Sequence, residues 1–279
     1  MKLALVGCSN GQKLTYKGKI DKLINILNSI GISSVLSDCI YEKEDIFSGT
    51  ALERATALMK MYEDDSITHI FDISGGDVAN GVLPYLDYDM IGDSNKTFWG
   101  YSDLTTVINA IYAKTGKASV LYQIRNLIYD HSEEQIANFK DTVLDGGKSL
   151  FDIKVDFLQG KEMEGIVIGG NIRCFLKLAG TEYMPDFQDK ILLLEGYSGE
   201  VGSMETCLCQ LKQLGAFHKV NGILLGTFTK MEADGWEPSM EILVKRIVGE
   251  NLPIAKTRDI GHGTDSKGIM IGQYVRYSS

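Results

Sequence analysis

Apolar and polar positions along the first half of the chain switch repeatedly between two periods. Leu3–Val6 is a short apolar run followed by Cys8-Ser9-Asn10-Gly11, which predicts a buried strand and a turn. From Lys17 to Ile30 the apolar residues Ile20, Leu23, Ile24, Ile26, Leu27 and Ile30 keep helical spacing and stop before Gly31. Ser33–Leu36 reads as a strand, and Thr50-Ala51-Leu52-Glu53 is a capping box that opens a helix to about Glu63. Strands follow at Thr68–Ile73, Lys96–Gly100 and Ala118–Leu121, with a helix over Leu104–Lys114 that Asp103 is placed to cap and Gly116 to end. Repeated strand–helix units predict a mostly parallel sheet covered by helices.

The rhythm breaks between residues 123 and 162, where a polar helix near Ser132–Leu144 precedes Asp145-Gly146-Gly147. This stretch reads as a connector that packs over a cleft between two domains. A second pattern begins at Gly165, with strands at Gly165–Ile168, Ile191–Leu194, Gly222–Leu225 and Gly268–Ile271, and helices at Ser203–Leu214 and Ser239–Val248. The expected division is therefore 1–122, a connector at 123–162, and 163–279. The fold class is α/β with two domains.

Charge narrows the partners. The 28 basic and 37 acidic side chains give a net charge of −9, and no basic cluster interrupts the acidic balance. That argues against a nucleic-acid or anionic-membrane surface. No run approaches the roughly 18 apolar residues a membrane helix needs, and the N-terminal apolar run is too short for a signal peptide. Five cysteines, an odd number, suggest reduced thiols in a cytoplasm. Cys207 and Cys209 stand two apart on an expected helix and face away from each other. No His, Asp, Glu or Cys cluster has metal-ligand spacing, so neither a metal nor a cofactor is expected.

Four segments could carry chemistry. Ser74-Gly75-Gly76-Asp77-Val78-Ala79-Asn80-Gly81 follows an apolar strand and turns sharply into a short helical stretch. That geometry lifts one side chain into a cleft and aims backbone N–H groups at it. Its expected tip is Ala79, which carries no nucleophile. Trp99-Gly100-Tyr101-Ser102-Asp103-Leu104-Thr105 is a second strand-to-helix turn with polar side chains at its tip. Glu195 ends the apolar strand Ile191–Leu194, at the strand edge where α/β sites are built. His262 lies between Gly261 and Gly263. An imidazole takes a proton from a hydroxyl nucleophile, and a carboxylate on its other nitrogen fixes the tautomer. Singly, a strand-end glutamate reads as a solvated or capping group, a histidine in a glycine loop as a turn residue, and Gly-Gly after a strand as a plain turn. Their order along the chain makes the case.

That order resembles the serine-type LD-carboxypeptidases, and within them the microcin C immunity peptidases. The resemblance rests on Gly75-Gly76 through Leu83-Pro84-Tyr85-Leu86-Asp87-Tyr88-Asp89, Gly100-Tyr101-Ser102-Asp103 with Thr105, Gly169-Gly170-Asn171-Ile172, Gly180 to Asp186, Leu194-Glu195 and Gly261-His262. It implies a Rossmann-like N-terminal parallel sheet with covering helices. It also implies a smaller, strand-rich C-terminal α/β domain, an active site where the two meet, and a homodimer. The implied triad falls on Glu195, His262 and, at the nucleophile position, Ala79. Implied oxyanion donors fall near Gly76 and Asn80, and Gly75, Asp77, Ser102 and Asp103 would line the substrate cleft. The implied substrate is a small peptide cut before a terminal D-residue, or a peptidyl-nucleotide conjugate. An alanine at position 79 would leave the chain impaired, or a non-catalytic binder of such ligands. Ser74 and Ser102 are the nearest hydroxyls in these motifs, and Ser102 reads as a cap or structural partner.

Overall fold

A computed structural model describes residues 1–279. Its strands are β1 (Lys2–Val6), β2 (Ser33–Leu36), β3 (His69–Asp72), β4 (Thr97–Gly100), β5 (Ser119–Leu121), β6 (Asp156–Gln159), β7 (Glu162–Asn171), β8 (Lys190–Gly196), β9 (Gly222–Phe228), β10 (Ile254–Lys256), β11 (Ile269–Ile271) and β12 (Tyr274–Ser278). The helices are α1 (Lys17–Ser29), α2 (Ala51–Glu63), α3 (Tyr88–Asp93), α4 (Thr105–Thr115), α5 (Ser132–Val143), α6 (Ile172–Phe175), α7 (Val201–Gln213), α8 (Thr229–Ala233) and α9 (Met240–Val248).

Two six-stranded sheets result. The first has the order β11-β5-β4-β3-β1-β2, and all of its pairs are parallel except β11 with β5. The second runs β12-β7-β8-β9-β10-β6, with a parallel centre and antiparallel edges at β12 and β6. Strand order reverses between β3 and β1, so the loops after these strands open a crevice at the sheet's C-terminal edge. Asn10 and Gly75–Gly76 lie on those two loops.

Three expectations change here. The apolar run at 268–271 forms β11, but it pairs with Leu121, Val120 and Ser119 of the first sheet. Apolar periodicity marks a strand without marking its partner. Strands β6, β10 and β12 have no counterpart among the expected elements, because β6 and β10 are four and three residues long and β12 is an exposed edge of alternating character. Asp103 does not cap α4; its carboxylate is fully buried and held elsewhere. The capping box at Thr50 and Glu53 forms as expected, and Gly116 ends α4 in the left-handed conformation.

The core explains how the halves stay together. One apolar cluster runs from Val6 and Ile70 through Val107 and Ile111 of α4 to Val167, Leu193 and Leu224 of the second sheet. Helix α4 is thus buried between the sheets. Its Asn109 donates to the Gly169 carbonyl (2.8 Å) and accepts from the Gly169 N–H (2.9 Å), pinning β7 to the first domain. A smaller cluster covers the other face of the first sheet, where α1 and α5 pack on Leu5, Phe71 and Tyr122. The polar helix α5 buries Gln135, Phe139 and Val143 there.

Candidate active site

The C-terminal edges of both sheets contribute to one cluster. Glu195 comes from the C-terminal end of β8 and is fully buried. His262 follows β10 on a glycine-flanked loop. Its Nδ1 lies 2.7 Å from Glu195 Oε2, and its Nε2 lies 3.2 Å from Ser102 Oγ. Ser102 begins the tight turn between β4 and α4 with φ of +56°, a left-handed conformation rare for serine. Such strain aims a side chain at a neighbour that a relaxed turn would miss.

The loop carrying His262 needs its glycine. A Cβ at Gly261 would stand 1.7 Å from Thr227 Oγ1, so only glycine lets the loop close over the end of β9. The imidazole itself lies between two tyrosine rings, with centroids 4.5 Å away for Tyr101 and 5.2 Å for Tyr197. These rings hold its plane while the two hydrogen bonds fix its rotation. Tyr101 is buried beside the Glu195 charge, and both effects, burial foremost, push its phenol well above the usual tyrosine range. Tyr101 Oη and Glu195 Oε1 have no hydrogen-bond partner within the protein.

The other expected residues are held in a second network below. Ala79 is fully buried in the 3₁₀ turn Ala79–Tyr85, and its backbone N–H donates to Asp103 Oδ2 (2.8 Å). The hydroxyl within reach of His262 is that of Ser102, while Ala79, the position expected for the nucleophile, has no hydroxyl to offer it. Both turns read alike as strand-to-helix elbows; that the second puts a serine at positive φ is not visible in residue types. Ser74 Oγ accepts from the Ser9 N–H (2.9 Å) and bonds to Asp72, so it is spent on holding two loops together. Burial pushes the Asp72 carboxyl up from its ordinary range.

Asp103 is the hub of this network. Its Oδ2 also accepts from Ser9 Oγ (2.6 Å), and its Oδ1 from Lys177 Nζ (2.5 Å). Lys177 donates as well to the Asp77 carbonyl (2.9 Å), and Arg173 reaches the Asp77 carboxylate at 2.6 Å. Gly76 turns with φ of +123°, and a Cβ there would collide with the Asn10 side chain. Asn10 Oδ1 accepts the Asp77 N–H (3.0 Å). The Gly75–Asp77 loop is thus fixed from both domains, while Asn80 is exposed. Tyr197, Lys177 and Ser9 were not singled out in the sequence; nothing in their spacing marks them, since each arrives from a different loop or helix. No group of three or more His, Cys, Asp or Glu side chains is placed to hold a metal ion.

A buried carboxylate, an imidazole and a strained hydroxyl in relay, at the seam of two α/β domains, define a hydrolase-type site. The comparisons with known proteins agree on which kind. The chain belongs to the LD-carboxypeptidase family: the family's N-terminal domain matches residues 3–122 and its C-terminal domain residues 164–276. It is 28% identical to the microcin C7 self-immunity protein MccF of Escherichia coli, over 89% of this chain and 82% of that one. It is 26% identical to a probable murein peptide carboxypeptidase of Bacillus subtilis, over 91% of this chain and 82% of the other. A solved structure of MccF in complex with glutamyl sulfamoyl guanosine superposes with a TM-score of 0.87 at 22% identity, covering 99% of this chain and 92% of that one.

Proposed function

We propose that the chain is a serine-type carboxypeptidase in which Ser102 is the nucleophile, His262 the general base and then acid, and Glu195 the group that orients the imidazole. The contact that carries this reading is His262, bonded to Glu195 on one nitrogen and within reach of Ser102 Oγ on the other. With Nδ1–H donating to Glu195, Nε2 is free to accept the serine proton. Ser102 Oγ then bonds to the scissile carbonyl carbon, and the imidazolium returns the proton to the leaving amine. A water repeats the sequence on the acyl-enzyme and releases the free acid. Oxyanion donors are proposed at the Gly76 N–H and at the N–H of Asp103, the residue after the nucleophile. The substrate is a small peptide or a peptidyl-nucleotide conjugate, a choice supported by what the carboxypeptidase and microcin-immunity relatives are named for.

Ser102→Ala tests the assignment. The reading expects kcat on an LD-tetrapeptide or an aminoacyl-sulfamoyl adenosine to fall by about 10⁴–10⁶. The fold should remain intact by circular dichroism. Turnover that survives this change in the folded protein would return the nucleophile to another position.

A further inference from the structure

A cavity opens at the same edge of the first sheet, between the loop after β1 and the segment after β5. It encloses about 130 Å³ and is lined by Gln12, Tyr16, Lys19, Arg125, Ile128 and Tyr129. Cavities of roughly 150 Å³ accept a benzene ring, so this one takes a compact group and not a nucleoside. Its lining holds two cations and no carboxylate, in a chain whose net charge is −9.

Arg125 is the unusual member. It is half-buried, and neither it nor Lys19 has a carboxylate within the 4.0 Å of an ion pair. Its Nε donates to Gln123 Oε1 (3.2 Å) and a terminal nitrogen donates to Gln12 Oε1 (3.2 Å). Both glutamines are buried, with 8% and 9% exposure for Gln12 and Gln123. Gln12 Nε2 is committed to the Ile73 carbonyl (3.2 Å), so its oxygen faces the guanidinium. Neutral amides therefore orient the cation without cancelling its charge. A guanidinium has five N–H donors, and these contacts leave most of the fork free. Lys19 Nζ stands over the rings of Tyr16 and Tyr129, 5.0 and 5.8 Å from their centroids. The one acidic residue of α1, Asp21, is paired with Lys17 (2.8 Å) and with neither of the two cations.

The cavity is braced by the loops that frame the relay. Gln12 lies two residues beyond Asn10, which holds the Asp77 N–H. Asn126 and Gln135 both donate to the carbonyl of Ser266, on the loop that carries His262.

We propose that this cavity is a subsite for a compact anionic oxygen group, a carboxylate or a phosphate, held by the Arg125 fork with Lys19 at the rim. The proposal deepens the hydrolase reading by placing there an anionic end of the substrate remote from the cut bond, and it rests on that reading for the ligand being a substrate. A charge-assisted pair of this kind accounts for roughly 10- to 100-fold in affinity.

The test is binding to the full chain, followed by amide NMR shifts, with glutarate and phenyl phosphate as anionic probes and glutaramide as the neutral control. Saturable shifts over residues 12–23 and 123–129 are expected for at least one anion and not for glutaramide. Binding of glutarate alone assigns a carboxylate, and of phenyl phosphate alone a phosphate. Arg125→Gln should weaken binding about 10- to 100-fold. Lys19→Gln, at an exposed position, should weaken it about threefold and carries the test if the arginine variant does not fold. No shift with either anion, equal response to glutaramide, or unchanged affinity in the folded variants would overturn the subsite. Probe binding does not depend on hydrolysis, so a failed Ser102 assignment with intact binding would leave the subsite standing.

Discussion

Ser102 is held in a conformation that costs a non-glycine residue on the order of 1–3 kcal/mol, and its turn is stabilised by what surrounds it. Asp103, the next residue, is anchored to Ser9, Ala79 and Lys177. The same logic applies on the other side of the imidazole. Glu195 meets His262 through one oxygen only, and its second oxygen is buried without a protein partner. Glu195→Gln would keep the shape and lose the preference for Nδ1–H, since an amide presents either end. We expect kcat to drop on the order of 10⁴ with KM nearly unchanged, measured by steady-state kinetics on the same substrates. A rise in KM with kcat preserved would instead make Glu195 part of the substrate pocket.

At the scale of elements, the strands and helices with a regular apolar period could be read directly. The helix from Lys17, the capping box at Thr50 and the end of α4 at Gly116 all follow from local side-chain chemistry. Glu195 and His262 could be picked out by the order of the motifs along the chain, since singly each reads as an ordinary strand-end or turn residue. Ser102 as their partner could not be, because a backbone dihedral and three converging loops decide it. Strand β3 carries a further consequence of tertiary contact. Trp99 Nε1 donates to His69 Nδ1 (3.1 Å), which requires the neutral ring, and burial lowers the His69 pKa from its usual value. Above the unfolded pKa both states are neutral and the histidine has no effect. As pH falls through that value, near 6.5, the unfolded chain takes a proton that the folded one refuses, and stability is lost until the lower, folded pKa is passed. Melting temperature should therefore fall between pH 7 and pH 5, and His69→Gln should flatten part of that slope. Parallel profiles for the two proteins would show that His69 does not contribute.

For the whole molecule, the contact between Lys177 and Asp103 joins the domains at the site itself. Asp103 is fully buried, and the lysine is mostly so, at 19% side-chain exposure. Lys177→Met leaves a buried carboxylate without its cation and frees the Asp77 carbonyl. A loss of about 2–4 kcal/mol in urea unfolding is expected, together with reduced turnover because the Gly75–Asp77 loop loses its anchor. An unchanged midpoint would mean that water replaces the ammonium at no cost. A different kind of consequence attaches to β11. Its three residues form the outer rim of the first sheet, beside β5, yet they come from the far end of the chain, after the histidine loop. During synthesis the ribosome delivers the other five strands of that sheet by residue 121 and must then make nearly 150 more residues before the rim arrives. Until then β5 is an open edge, able to pair with any passing strand. The half of the chain made first is thus closed only when synthesis is almost over, and a fragment cut at the domain boundary would carry that open edge permanently.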